Sequence, residues 1–261
     1  MPELPDVEVF RRRLAATGLH RRVDRVGVHD ASLPREVSRQ HLQAAITGHE
    51  LQRTRRHGKH LFAAVSGGEW LVLHFGMTGL LDYHRNGEPD DDHTRLTLRF
   101  EDGSRVAYVD QRRLGYVTLT SDVDAYVEDE PLGPDALELS PKALRDLLRE
   151  RRGAVKSVLM DQTVLAGIGN IYSDEVLFQA RVDPRTPARS LDDAACRRIH
   201  RQVGRVLRMA ADRSVDVNRM PRGWLLPHRE DGVPCPRGNG EVRKFKLSGR
   251  RAYYCPACQQ S

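Results

Sequence analysis

Residues 155–178, VKSVLMDQTVLAGIGNIYSDEVLF, combine two helix-like segments with a short turn, AGIGN, and give the most informative pattern in the chain. Gly167 and Gly169 allow another backbone to approach closely. A loop of this kind that opens a helix presents backbone N–H groups, which can bind a phosphate, and Asn170 adds a side-chain amide. The turn is therefore interpreted either as an anion-binding site or as a packing feature between helices.

Helical spacing of apolar residues continues on both sides of this stretch, from Ser140 to about residue 213. The predicted helices cover 141–151, 154–160, 170–181 and 190–213. Another helix is predicted over 5–18, because Pro5 and Asp6 suit a first turn and Gly18 suits a helix end.

Between about 20 and 120 the pattern is different. Short alternating apolar runs such as LFAAV, RLTLRF and RVAYV are separated by turn sequences such as EDGS, which predicts an antiparallel sandwich or barrel. The fold class is therefore predicted as α+β, with an N-terminal antiparallel β-sandwich flanked by helices and a helical C-terminal part. The predicted divisions are 1–120, an acidic linker over 121–140, a helical domain over 141–223, and a Pro/Gly-rich basic segment over 224–261.

The charge of the chain points to a polyanionic partner. The 261 residues carry a net charge of +6, and residues 201–261 hold 13 Lys and Arg against 5 Asp and Glu. No apolar run is long enough for a transmembrane helix, and the first residues lack the apolar core of a signal peptide. Four cysteines are too few for a disulfide framework. We therefore expect a cytoplasmic protein without membrane contact.

The last segment predicts a metal site. Cys255 and Cys258 form a CxxC pair and Cys235 lies upstream, but Gly238 stands where a second pair would be completed. His228 is the nearest candidate for a fourth ligand, and three Cys with one His form an ordinary zinc site. A redox pair or surface thiols without metal is the alternative. Since the segment is too short for an apolar core, one structural Zn²⁺ is expected.

The turn DQRRLG presents Arg112 and Arg113 after a strand, either as two exposed guanidinium groups for an anion or as a solvated charged hairpin. Together with the AGIGN turn and the basic C-terminal segment, it favours a polyanion as partner.

Six tracts in the same order resemble the formamidopyrimidine-DNA glycosylases, and together they span nearly the whole chain. They are MPELPDVE, RRHGKHLF, LHFGMTG, DQRRLG, the stretch quoted above and RRAYYCPACQ. The resemblance implies a β-sandwich domain, a helix–two-turn–helix domain over 141–223 and a β-hairpin zinc finger over 224–261. It also implies damaged double-stranded DNA as partner, and enzymes that evert an oxidised base, excise it and cut the strand. We expect a monomer associated with the nucleoid through DNA.

The resemblance also assigns catalytic roles. If Met1 is removed, Pro2 offers a secondary amine that can form an iminium with a sugar C1′, and Glu3 can donate and accept protons beside it. Lys59 resembles a hairpin lysine that contacts the damaged base region and phosphate. Arg250 resembles the zinc-finger arginine that promotes the second elimination, although Arg251 is adjacent.

Other positions match DNA contacts of the family. Lys156 and Asn170 match a phosphate-binding pair, and His93 matches a DNA-contacting histidine. Met77 and Arg112 match side chains that fill the space left by an everted base. The third of that set is normally phenylalanine, and here it is Leu114.

Two departures bear on substrate preference. Leu114 cannot stack on a base, and the segment before the zinc finger, ADRSVDVNRMPRGWLLPHRE, is shorter than usual and lacks the loop that caps an everted 8-oxoguanine. The leading hypothesis is a bifunctional glycosylase and abasic-site lyase that acts by β,δ-elimination. The alternatives are an endonuclease VIII-type enzyme for oxidised pyrimidines and a non-catalytic damage-binding protein on the same fold. The start PELPD favours the first.

Overall fold

The structure is a computed structural model that describes residues 1–238 and 240–259. The chain divides into two compact units, Met1–Glu130 and Pro131–Ser261. The first unit contains α1 (Leu4–Gly18), β1 (Val23–Val28), α2 (Arg39–Ile46), β2 (Leu51–His57), β3 (His60–Val65), β4 (Trp70–His74), β5 (Leu80–His84), β6 (Thr94–Phe100), β7 (Arg105–Val109), β8 (Tyr116–Thr120) and α3 (Val123–Asp129).

Two antiparallel four-stranded sheets form the predicted sandwich. Their strand orders are β1-β6-β7-β5 and β2-β3-β4-β8. Inward-facing side chains of both sheets share one apolar core, with Leu61 and Leu73 from one sheet and Leu98 and Val106 from the other. Every residue of β3 is buried, because α3 covers the outer face of its sheet and packs Val123 against Phe62. Helix α2 was not predicted, since it lies in a stretch dominated by strand patterns.

Helix α1 forms where the sequence predicts a helix. Glu3 is its N-cap, and Glu3 and Asp6 form a capping box in which each side chain accepts a hydrogen bond from the other residue's backbone N–H. Val7 and Leu14 enter the sandwich core, and the rings of Phe10 and Phe75 lie 4.8 Å apart. The cap and this packing together fix the start of the helix on the sandwich.

Among its described residues, the second unit contains four α-helices and a hairpin. They are α4 (Pro141–Arg149), α5 (Val155–Met160), α6 (Asn170–Ala180), α7 (Asp193–Asp212), β9 (Arg243–Leu247) and β10 (Arg250–Tyr254). The helices agree with the predicted segments to within a few residues. The N-cap of α7 is Asp192, whose carboxylate accepts a hydrogen bond of 2.6 Å from the backbone N–H of Ala195.

Two features of the structure bear on the predicted domain divisions. The boundary between the units falls inside 121–140. The segment is ordered on both sides of this boundary. Helix α3 belongs to the first unit, and within the second unit the N–H of Ala136 bonds to the Ala166 carbonyl at 3.0 Å. The segment 224–261 is not a separate unit either, because Phe178 of α6 shares an apolar cluster with Leu225 and Val242. Within the described residues, no helix has the length and apolar character needed to span a membrane.

Candidate active site and metal centre

Glu3 and Asp6 form an acidic pair at the start of the first unit, next to Pro2. Glu3 is 2% exposed, and its backbone N–H donates a 2.8 Å hydrogen bond to the Asp6 carboxylate. Pro2 is partly exposed. The predicted nucleophile and proton carrier are therefore adjacent, and the capping box holds the carboxylate of Glu3 at the helix start.

Asp6 was not predicted as a site residue, although the spacing Glu3–Asp6 is that of a capping box. Burial raises the pKa of Asp6 to about 6, and the nearby charge of Glu3 also raises it, while the hydrogen bond from the Glu3 backbone opposes the rise. Asp6 is therefore a proton-binding group that titrates near neutral pH next to Glu3.

One buried carboxylate organises two loops of the first unit. Asp110 is fully buried and accepts hydrogen bonds from the Thr78 hydroxyl at 2.6 Å and from the backbone N–H groups of Arg112, Leu114 and Gly115 at 3.2, 3.0 and 2.9 Å. The Arg112 N–H also bonds to the Thr78 hydroxyl at 3.0 Å. Asp110 thus joins the loop after β4 to the loop after β7.

These two loops display the predicted filling side chains. Met77 is 36% exposed and Leu114 is 50% exposed, both high values for apolar residues, and Arg112 is exposed as well. Gly76 adopts φ +53°, and a Cβ there would lie 2.4 Å from the Leu114 carbonyl carbon. The close contact of the loops therefore requires glycine at this position. The structure brings Met77, Arg112 and Leu114 onto one loop pair.

His93 and Arg113 lie at the edges of the same region. The buried Arg95 guanidinium is 3.4 Å from Nδ1 of His93 and donates a 3.0 Å hydrogen bond to the backbone carbonyl of Asp110. It therefore links His93 to the loop that carries Arg112. Arg113 has φ +53°, and its exposed guanidinium lies 3.3 Å from the carboxylate of Asp30.

A histidine that sequence reasoning missed lies near Lys59. Lys59 is partly exposed in the turn between β2 and β3. His74, at the end of β4, stacks on Tyr116 with ring centroids 5.0 Å apart. Burial, together with the charges of Lys59 and Arg35, lowers the pKa of His74 to about 4, so the imidazole is neutral at pH 7. The signal was its place in LHFGMTG, three residues before Met77.

In the second unit, Lys156 is buried against the start of α6. Its side chain is 0% exposed, and its ammonium donates to the Asn170 carbonyl at 3.0 Å, the Ser173 hydroxyl at 2.8 Å and the Asp174 carboxylate at 2.7 Å. Lys156 therefore fixes the first turn of α6, and its contact with a phosphate stays a prediction.

Asn170 remains placed for a ligand. It is the first residue of α6 and is partly exposed, and its side-chain oxygen has no hydrogen-bond partner among the described residues. Gln162 shapes the preceding turn by accepting a 3.0 Å hydrogen bond from the N–H of Gly167 and donating one of 2.7 Å to the Ile168 carbonyl. The turn AGIGN thus presents Asn170 at a helix N-terminus, as predicted.

Arg250 is exposed at the tip of the β9–β10 hairpin. The two connecting residues, Ser248 and Gly249, have φ +47° and +77°, which are values typical of a tight hairpin turn. Arg251 is also exposed, and successive residues of a strand point to opposite faces. Only one of the two arginines can therefore face a given ligand.

Three thiols form the only candidate metal cluster among the described residues. The sulfur atoms of Cys235, Cys255 and Cys258 all lie within 4.8 Å of one another, and those of Cys235 and Cys258 are 3.6 Å apart. A tetrahedral ion with Zn–S bonds of about 2.3 Å needs sulfurs about 3.8 Å apart, so the thiols fit zinc. His228 lies in a 3₁₀ turn, Leu226–His228, and is not a member of the cluster, so the structure does not support it as fourth ligand.

The position of the missing fourth ligand is visible in the backbone. The N–H of Gly238 bonds to the Cys235 carbonyl at 2.8 Å, and the N–H of Cys258 bonds to the Cys255 carbonyl at 3.0 Å. The two turns therefore have the same hydrogen-bond pattern, from the N–H of the fourth residue to the carbonyl of the first. Gly238, however, supplies no sulfur to the first turn.

Comparison with known proteins agrees with this geometry. Residues 1–117 match the formamidopyrimidine-DNA glycosylase N-terminal domain and residues 132–219 match the H2TH domain of the same enzymes. The formamidopyrimidine-DNA glycosylase of Geobacter metallireducens is 34% identical over 99% of this chain and 100% of its own, and that of Pelotomaculum thermopropionicum is 31% identical over 100% and 99%.

Solved structures of the same kind superpose on the whole chain. The wild-type Lactococcus lactis Fpg (MutM), in a complex with DNA containing N7-benzyl-Fapy-dG, has a TM-score of 0.90 and 28% identity, and each chain covers 100% of the other. The Lactococcus lactis Fpg with DNA containing an abasic site has a TM-score of 0.89 and 27% identity, with 99% of this chain and 100% of that one covered. The chain therefore belongs to the formamidopyrimidine-DNA glycosylase family.

Proposed function

We propose that this DNA glycosylase of base-excision repair is bifunctional, excising an oxidised or ring-opened base and then cutting the strand at the abasic site. The family membership and the DNA-bound relatives support damaged double-stranded DNA as its partner. Its place of action would be the cytoplasm, on the nucleoid.

The chemistry would begin at the N-terminus. After removal of Met1, the Pro2 nitrogen attacks the sugar C1′, a C–N bond forms, and the bond from C1′ to the damaged base breaks with a proton passing to the base. Glu3 donates a proton to the ring oxygen as the sugar opens, which leaves an iminium between Pro2 and C1′. Loss of a C2′ proton then expels the 3′ phosphate, and a second elimination, assisted by Arg250, expels the 5′ phosphate.

The observation that supports this proposal best is the burial of Glu3 beside Pro2. Glu3 is only 2% exposed at the N-cap of α1. A helix cap requires a hydrogen bond between the side chain and the backbone, but it does not require this degree of burial. Its position beside Pro2, held by Asp6, supports its proposed role as proton carrier during ring opening.

The DNA contacts would come from both units. Met77, Arg112 and Leu114 would fill the space of the everted nucleotide. In the second unit, Asn170 would bind phosphate at the start of α6, where the helix dipole favours an anion. Lys59, His93 and Arg113 are further proposed contacts, although Arg113 must first leave Asp30.

We also propose one structural zinc per chain, held by Cys235, Cys255 and Cys258. The ion would tie the hairpin that carries Arg250 to the rest of the second unit. Metal analysis should give one zinc in the parent and a loss of retention in Cys255→Ser. His228→Ala should keep its zinc, and loss of zinc there would return His228 to the ligand set.

The direct test of the proposal is Pro2→Gly. This variant should bind a duplex with an abasic site as the parent does, but cut it far more slowly, because its primary amine differs in basicity and geometry. A residue left in front of Pro2 should abolish cutting. Full strand cleavage by a protein with a blocked N-terminus would overturn the assignment of Pro2 and make Lys59 the candidate nucleophile.

A further inference from the structure

The exposed face of α7 carries an uninterrupted row of arginines, here called the α7 arginine row. Its members are Arg197, Arg201, Arg205 and Arg208, all exposed. Their spacings of four, four and three residues place them one above the other on one side of a helix. With a rise of 1.5 Å per residue, the row is about 16 Å long.

The row lies opposite the packed face of the helix. Buried residues of α7 such as Ile199, Val203 and Leu207 face the neighbouring helices α4 and α6. The arginines therefore point away from α6, whose first residue is Asn170. Phosphates bound at the row would therefore lie on a different side of α7 from phosphates bound at Asn170.

Within the described part of the chain, none of the four arginines has a hydrogen bond or ion pair. The carboxylate at the start of the same helix is already neutralised, since Asp193 lies 2.6 Å from Arg149 and 3.8 Å from Arg145 of α4. Like charges one helical turn apart destabilise a helix. An unpaired row of this kind is unfavourable for the fold alone and favourable once an anion covers it.

The row has the character of a nucleic-acid surface and not that of a protein interface. The large apolar residues that are exposed in the described chain, such as Val217, all lie outside α7. A protein interface needs an apolar centre, whereas binding to a phosphate backbone needs cations alone. B-DNA carries one charge per about 1.7 Å of axis, so the row spans about ten phosphates.

We propose that the α7 arginine row binds the backbone of a second DNA segment, separate from the one that contains the lesion. This rests on the proposed DNA binding of the protein but not on its chemistry. Such a surface lets the protein hold undamaged DNA while the lesion site is occupied.

The test uses a variant with all four arginines of the row replaced by glutamine, which keeps helix propensity. The matched control replaces four ion-paired arginines of similar exposure, 45 to 60%, so that the net charge falls equally. These are Arg13, Arg22, Arg55 and Arg149. Each protein is saturated with a duplex containing a tetrahydrofuran abasic analogue, and a labelled undamaged duplex is then added.

Fluorescence anisotropy reports binding of the second duplex as salt rises from about 50 to 200 mM. The parent and the control should bind it, and the row variant should bind at least about tenfold more weakly, with the slope of log K against log salt reduced by about 3 to 4. A parallel titration with the label on the first duplex shows whether that duplex stays bound.

Equal binding by the row variant and the control, or no second binding by the parent, would overturn the proposal. Displacement of the second duplex by polyglutamate at equal charge concentration would overturn it in favour of an acidic protein partner. Failure of the parent to bind the first duplex would count instead against the proposed function.

Discussion

Two buried charged side chains, Asp110 in the first unit and Lys156 in the second, serve loops that carry candidate DNA contacts. Asp110 accepts hydrogen bonds from one hydroxyl and three backbone N–H groups. Lys156 is paired with the carboxylate of Asp174, which also accepts from Arg229 at 2.8 Å. Hydrogen bonds to a carboxylate therefore hold the loop pair of the first unit, and an ion network holds the AGIGN turn of the second.

The difference shows what each loop can tolerate. A carboxylate that accepts from backbone N–H groups fixes the loop whatever its side chains are, so Leu114 can replace the family's phenylalanine without loss of loop shape. An ion network instead depends on both partners, because a buried charge that loses its counterion is costly.

The largest effect is expected for Lys156→Met, which keeps the length of the side chain but leaves Asp174 with only Arg229. The free energy of unfolding should fall by about 3 to 5 kcal/mol, the range for breaking a buried ion pair. Urea unfolding measures it. Lys142→Met, which removes an exposed lysine 3.2 Å from Asp146, is the control and should change stability by less than about 1 kcal/mol.

Adding Asp174→Asn to Lys156→Met should lower stability further, since the Arg229 guanidinium then loses its carboxylate partner as well. Equal stability of the single and double variants would show that the Asp174–Arg229 pair contributes nothing once Lys156 is removed.

A somewhat smaller effect is expected for Asp110→Asn. An amide donates where one carboxylate oxygen accepted, so two backbone N–H groups lose their acceptor, at about 1 to 2 kcal/mol each. Stability should fall by about 2 to 4 kcal/mol, and affinity for a lesion duplex should fall with it. Asp82→Asn, which alters contacts of a half-exposed carboxylate with Arg13, His84 and the backbone N–H of Tyr83, should do neither. Unchanged DNA affinity in Asp110→Asn would mean that the loops do not contact DNA.

Asp6 gives a pH-dependent effect of about 3 kcal/mol, because each pKa unit corresponds to about 1.4 kcal/mol. The native state raises the pKa of Asp6 from 3.8 to about 6 and therefore binds its proton more tightly than the unfolded chain does. This contribution to stability is complete below pH 4 and is lost as the pH rises through 6. The stability of Asp6→Asn relative to the parent should therefore be higher at pH 7.5 than at pH 4.5. A difference that does not vary with pH would contradict the raised pKa.

The smallest effect concerns lesion preference. Only a short segment separates Asp212 at the end of α7 from the 3₁₀ turn Leu226–His228, and Leu114 cannot stack on a base. We expect abasic sites to be cut fastest, formamidopyrimidines and oxidised pyrimidines next, and 8-oxoguanine more slowly, since one or two pocket contacts are worth about 1 to 3 kcal/mol. Single-turnover rates on matched duplexes decide this. Fastest cleavage of 8-oxoguanine opposite cytosine would contradict the interpretation.

Much of the fold could be predicted from the sequence. Alternating apolar runs located the sandwich strands, and helical spacing located α4 to α7, because both patterns follow from which face is buried. The CxxC spacing found the thiol cluster. Pro2 and Glu3 came from the resemblance, and residue type alone would not have singled them out.

The rest depended on distant partners. The ion pair of Lys156 could not be predicted because the sequence does not reveal that Asp174, 18 residues later, faces it across the AGIGN turn. His228 is near Cys235 along the chain, but the cluster of three thiols does not include it. Asp110 and His74 were missed because their importance lies in burial and in contacts between strands, which a linear pattern does not contain.

The central claim is that Pro2 forms a covalent intermediate with DNA, and borohydride trapping tests it most directly. The protein is mixed with a duplex containing an abasic site in the presence of borohydride, and the attached peptide is identified by mass spectrometry. The account predicts a stable adduct on the N-terminal peptide through the Pro2 nitrogen, and none with Pro2→Gly after acetylation of its N-terminus. An adduct on Lys59, or strand cleavage without any adduct, would contradict it.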